Sequence, residues 1–346
     1  MSGIRVTYSG LISFFVGIIS VFTTLVFVVI VTRTLSTTEF GTWGLIMSLI
    51  TYSIVLEPII SYWSIRETAR NLSSEKTAIV SSGLFSVIGI GIYLIISFFV
   101  GQNSDVEKIG LFFGFMLIPL IFLNSTLSSI NLGWKPQAES YGVLALGISK
   151  IIGAIIFIYF LELSVLGIIF TVSIAYVVSI IVLFIFAKKK IKNKINKKYL
   201  KNWLKLFWLP TYPGISSMVL RLDVIIYTII TGSVIGLAFW SAAVAITVMV
   251  SQAGNISTAV YAKLIQDNNK EYLKNNITLL MYFAIPITGL SIVFAKPGLY
   301  FLNPIYQSAV PIVILLTIQL FLGTINRTFE KFLMGIERVD SDKTST

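Results

Sequence analysis

Lys150, Arg221 and Asp223 carry the side chains hardest to explain as packing, because each falls inside a long apolar run. An ionisable group at the centre of a bilayer costs at least about 2.5–3.5 kcal/mol, so each needs a compensating partner or task. Two cations at mid-depth would suit an anionic cargo such as a phosphate or an acidic sugar headgroup. A buried carboxylate that can take up a proton would suit coupling to H⁺ or Na⁺. Asp223 is two residues from Arg221, and residues two apart on a helix do not face each other, so a direct pair between them is not expected. Each cation also admits a second reading, as one half of a pair that locks helices together within its own half of the chain. A further cluster, Arg66, Glu67 and Arg70, reads as charge solvated at the membrane surface.

The elements that must position these residues follow from composition. The chain has 346 residues, 56% hydrophobic and only 12% charged, with a mean hydropathy of +0.89. Soluble domains run near 25% charged, so this chain has too little charge to cover a water-facing surface. It reads as an all-α polytopic membrane protein. Runs of roughly 20 apolar residues, the length needed to cross about 30 Å of hydrocarbon, occur ten times. They lie near 9–32, 41–60, 78–100, 110–130, 141–160, 163–187, 208–230, 234–258, 276–295 and 308–327. The first reads as a retained helix, since it is longer than a signal-peptide core and lacks a small-residue cleavage site. Glu57-Pro58 falls near the inner end of the second, where Glu57 would reach interfacial water. The absence of Cys and His removes thiol chemistry, Cys/His zinc sites and imidazole relays. No metal and no cofactor is expected.

Orientation follows from the basic residues. With the N-terminus in the cytoplasm, 21 of the 26 Lys and Arg fall on the inside, and only Arg33, Lys108 and Lys296 fall outside. Nine lysines between Lys188 and Lys205 make the longest connection. That segment fixes topology and would attract anionic lipid headgroups. It divides the chain into a six-helix lobe at 1–187, a Lys-rich linker at 188–207, a four-helix lobe at 208–327 and a polar tail at 328–346. A weak internal repeat supports two lobes. Gly41 with Trp43, and Gly236 with Phe239 and Trp240, each open a helix after a short polar crossover.

The stretch TRTLSTTEFGTWGLIMSLITY with SIRETARN resembles the start of polysaccharide and oligosaccharide flippases, in the superfamily that also holds multidrug and toxin extruders. TGSVIGLAFWSAA and GLYFLNPIYQSAVPIVILL resemble the second half of the same family. The resemblance implies a two-lobe bundle that carries a lipid-linked oligosaccharide or polysaccharide precursor across the cytoplasmic membrane by alternating access. The family commonly has twelve to fourteen helices, so the second lobe is expected to be incomplete. Implied partners are the lipid-linked sugar, membrane lipids and other glycan-assembly proteins. Nucleic acid is not expected, because the basic loop lies at a membrane and lacks base-reading motifs. The competing readings are a cation-coupled drug exporter, for which an acidic cavity would be the better fit, and an accessory protein without transport. A membrane glycosyltransferase is disfavoured by the short outer loops, so the chain is not expected to be an enzyme.

Overall fold

The computed structural model describes residues 6–102, 104–191, 194–220, 222–252 and 271–336. Among them all regular structure is helical. In chain order the helices are α1 (Val6–Thr34), α2 (Thr37–Ser53), α3 (Glu57–Ala69), α4 (Glu75–Gln102), α5 (Lys108–Phe113), α6 (Leu117–Trp134), α7 (Pro136–Gly153) and α8 (Ser164–Ala187). Then come α9 (Lys197–Lys205), α10 (Trp208–Leu220), α11 (Leu222–Thr231), α12 (Ile235–Gln252), α13 (Glu271–Val293), α14 (Ala295–Leu302) and α15 (Val310–Ile336). A single 3₁₀ turn joins α5 to α6, and a π-helical segment, Ala154–Phe160, extends α7.

Local sequence explains several of these boundaries. Ser36 and Glu39 form a reciprocal cap that starts α2: Glu39 accepts from the Ser36 backbone N–H at 2.7 Å, and Ser36 Oγ accepts from that of Glu39. Pro58 stands in the first turn of α3, where a missing N–H costs nothing. Pro136 opens α7, and Lys135 before it is driven out of the helical region, which separates α6 from α7.

Among the described residues six helices are long and apolar enough to cross a membrane, or eight if each sharply bent pair counts as one span. Those pairs are α2 with α3, bent by 62°, and α13 with α14, bent by 63°. The expected seventh and eighth spans correspond to shorter apolar helices on either side of Gly232, and residues 221 and 253–258 of those runs lie outside the described set.

Side-chain distribution within α4 shows what surrounds the bundle. Its buried face is made of small and mostly polar residues, including Ser81, Ser82, Ser86, Gly89 and Ser97. Its exposed face carries Leu84, Val87, Ile88, Ile95, Phe98 and Phe99. Such a helix would be inside out in water. In lipid, small residues permit close helix approach while large apolar ones meet the acyl chains. The chain is a multi-pass membrane protein.

The described chain forms two compact units, Met1–Ala238 and Phe239–Thr346. In the first, α7 packs on α1 and α8, α6 packs on α3, α4 and α8, and α10 and α11 pack on α2, α3 and α4. In the second, α13 packs on α15, with the Ser291 and Thr317 hydroxyls 3.1 Å apart between them. Trp63 and Trp203 are core residues, packed with Ile59, Ile60 and Ala78.

Gly41 and Gly236, the paired glycines of the sequence repeat, both mark close approaches. A Cβ on Gly41 would strike the Val234 carbonyl group, and one on Gly236 would strike the Tyr227 ring. Backbone cannot yield as a flexible side-chain tip can. Gly41→Ala is therefore expected to destabilise the protein by about 1–3 kcal/mol. A wild-type unfolding midpoint for this variant in detergent would contradict the close α2–Val234 contact.

Candidate functional site

Lys150 lies fourteen residues beyond the start of α7, or roughly 21 Å along it at 1.5 Å per residue. The whole span runs from Pro136 to Phe160, so the side chain leaves the helix near its middle. Two features fix its position. Gly147, one turn earlier, brings α7 against Thr23 of α1, where a Cβ would lie 2.5 Å from the threonine hydroxyl. The π-helical segment that follows within four residues widens the helix, a distortion common at functional sites.

The ammonium group sits 5.9 Å from the centroid of the Phe27 ring on α1. It makes no hydrogen bond or ion pair with another described residue. A ring face supplies only part of what an ammonium group loses on leaving water. Among the described residues the ammonium group has no salt bridge that would have to break before it paired with an anion.

Arg221 lies outside the described residues. Asp223 is exposed at the start of α11, and its Oδ1 accepts from the Val224 backbone N–H at 2.8 Å. No hydrogen bond or ion pair joins it to Lys150. Arg66 and Glu67 lie in the last turn of α3, and Arg70 lies just beyond it. Arg66 stacks on the Tyr62 ring at 4.3 Å, and Arg70 caps the helix. Glu67 is not a solvated charge: its Oε1 accepts from the indole N–H of Trp203 at 2.9 Å.

Glu57 was expected at the inner end of a span ending near residue 60. In the structure it opens α3, the second helix of the pair Thr37–Ser53 and Glu57–Ala69 that bends by 62°. Depth is given by Gly89, which is fourteen residues from one end of α4 and thirteen from the other. A Cβ on Gly89 would lie 2.6 Å from the Ser53 carbonyl oxygen, so the break is level with the middle of α4. Here Glu57 Oε1 accepts from Ser61 Oγ at 2.6 Å, and Tyr52 Oη, just before the break, donates to the Met218 carbonyl of α10 at 3.1 Å. Broken helices near the midplane leave backbone groups free to hold ions or substrate. The signal was present in the Glu-Pro pair, which marks a helix start as well as a kink.

The sequence profile of the family described as "Polysaccharide biosynthesis protein" matches residues 7–262, about three quarters of the chain. The chain belongs to the polysaccharide biosynthesis protein family. Among solved structures, the fold of this family member is similar to a multidrug resistance MATE family transporter of the MOP superfamily. Against the inward-facing conformation of such a transporter the TM-score is 0.67 at 16% identity, covering 92% of this chain and 81% of that one. Against an outward-facing conformation the TM-score is 0.63 at 18% identity, covering 96% and 81%. A MATE structure in the straight conformation gives 0.65 at 17%, with 96% and 81% covered. No curated protein matches the chain. At 16–18% identity the likeness is one of fold.

Proposed function

We propose that this protein is a flippase that carries a lipid-linked oligosaccharide or polysaccharide precursor across the cytoplasmic membrane by alternating access, and that it is not an enzyme. The observation that carries this reading is Lys150: a cation near mid-span, against Phe27, with no acidic partner among the described residues. A cation retained there at a cost of about 2.5–3.5 kcal/mol suits transient pairing with a phosphate-linked headgroup better than it suits stability. Arg221 is the second cation of the proposed cavity. Asp223 is the proposed coupling group. The N-terminus is proposed to be cytoplasmic, because that choice puts 21 of 26 basic residues inside. Arg66, Glu67 and Arg70 then lie toward the cytoplasmic face. Lipid-linked sugar and membrane lipids are the proposed partners, together with other glycan-assembly proteins.

The test is complementation of a strain lacking its own flippase. Arg221→Ala is expected to lower surface glycan at least about tenfold, the loss of one charge-assisted contact to the moving group. Full restoration by both Arg221→Ala and Lys150→Ala, at wild-type expression, would sink the cationic cavity. For Asp223, the expectation is that Asp223→Asn transports without its former dependence on an ion gradient. Retention of that dependence removes Asp223 from the coupling role.

Glu57 favours a second reading, a cation-coupled exporter of cationic drugs, because it puts an acid at mid-depth beside a helix break. Under that reading Glu57→Gln abolishes drug resistance conferred by the protein, while Lys150→Ala spares it.

A further inference from the structure

The linker helix α9 presents two unlike faces. At 100° per residue, Lys197, Lys198, Lys201 and Lys205 fall within an arc of about 100°. Trp203 and Tyr199 lie roughly opposite. The aromatic face is seated on protein: Trp203 is buried among Ile59, Ile60, Trp63 and Ala78, and Tyr199 stacks beside it with ring centroids 6.4 Å apart. Two polar contacts hold the seating. Trp203 donates to Glu67 of α3, and the Asn196 backbone N–H donates to Thr77 Oγ1 of α4 at 3.0 Å. Asn196 Oδ1 also caps α9 by accepting from the Lys198 N–H at 3.0 Å.

The helix packs on α3 and on the start of α4, where Thr77 and Ala78 lie within the first turn. The lysines are exposed. So are Ile195, Leu204, Phe207 and Trp208 around them. A water-facing linker would have no use for four large apolar side chains interleaved with lysines. A lipid interface accommodates both, with apolar groups among acyl chains and ammonium groups at phosphate level.

We infer that the lysine face of α9 binds anionic phospholipid headgroups, and that this contact keeps α9 seated on α3. The occupant is a lipid rather than free phosphate, because exposed apolar residues flank the charges. Because α3 is the half-helix that follows the break at Glu57, lipid composition thereby sets the stability of the broken span. The inference requires a membrane protein and is independent of which cargo it carries.

The test uses the full chain in nanodiscs of phosphatidylcholine alone, or with a third of it replaced by phosphatidylglycerol, and follows hydrogen exchange of the α9 amides. Each basic residue near an anionic surface contributes a factor of roughly five, so three lysines give a slowing of about 100-fold in the anionic discs. Lys197→Gln with Lys198→Gln and Lys201→Gln is expected to abolish that difference. The corresponding triple arginine variant keeps it, and amides of α8 exchange alike throughout. Equal α9 exchange in the two discs overturns the proposal. So does a lipid effect that survives in the glutamine variant, or one reproduced by inorganic phosphate in phosphatidylcholine discs. A negative complementation result leaves this measurement unaffected, so failure of the cargo reading and failure of this one are separable.

Discussion

Lys150→Ala is expected to reduce translocation at least about tenfold and to leave the protein as stable as the wild type, or more so. The two halves of that expectation have one cause. An ammonium group near mid-span, with the Phe27 ring beside it and no ion pair among the described residues, loses more hydration than such a ring returns. Removing it relieves part of a cost of at least about 2.5–3.5 kcal/mol. If Lys150 instead locked helices together, alanine would lower the unfolding midpoint. Opposite signs in the melting experiment therefore separate a functional cation from a structural one, a trade-off common at sites kept for activity. Lys150→Arg preserves the charge and is expected to retain part of the transport. Full transport with a lowered midpoint for Lys150→Ala would overturn the assignment.

Trp203→Ala is expected to have the largest effect on stability. Trp203 is 1% exposed and among the largest fully buried side chains. Truncating a buried Trp to Ala typically costs about 3–5 kcal/mol. The loss of the indole donor also strands the Glu67 oxygen it satisfied, adding about 1–3 kcal/mol. Trp203→Phe removes the donor and keeps most of the ring, so it isolates the second contribution. Because α9 is short and held through one face, the damage should appear first as local undocking. Limited proteolysis between α8 and α10 is the measurement, and wild-type cleavage rates for Trp203→Ala would refute the seating of α9 on α3.

Most of the first unit was legible because the dominant physics of a membrane span is composition over about twenty residues. The runs expected at 78–100, 110–130, 141–160 and 163–187 reappear as helical spans at 75–102, 108–134, 136–160 and 164–187. The break beside Glu57 was not legible, because a hydropathy window averages over it and cannot tell a kinked continuous helix from two helices meeting at 62°. The core positions of Trp63 and Trp203 were not legible, because an aromatic near a span end has the same sequence signature whether it meets headgroups or another helix.

The sequence by itself determined the solvent of this protein, its helical class and the family resemblance. These depend on apolar content and on local patterns, which survive without knowledge of neighbours. It also singled out Lys150, since a charge in an apolar run is visible in one dimension. Only the tertiary structure decided that Lys150 has no acidic partner among the described residues, that Glu57 opens a helix at a 62° break level with the middle of α4, and that the linker lysines stand opposite a buried tryptophan. Pairing, depth across a bend and the seating of a helix face depend on contacts between residues far apart in the chain, and hydropathy carries no record of them.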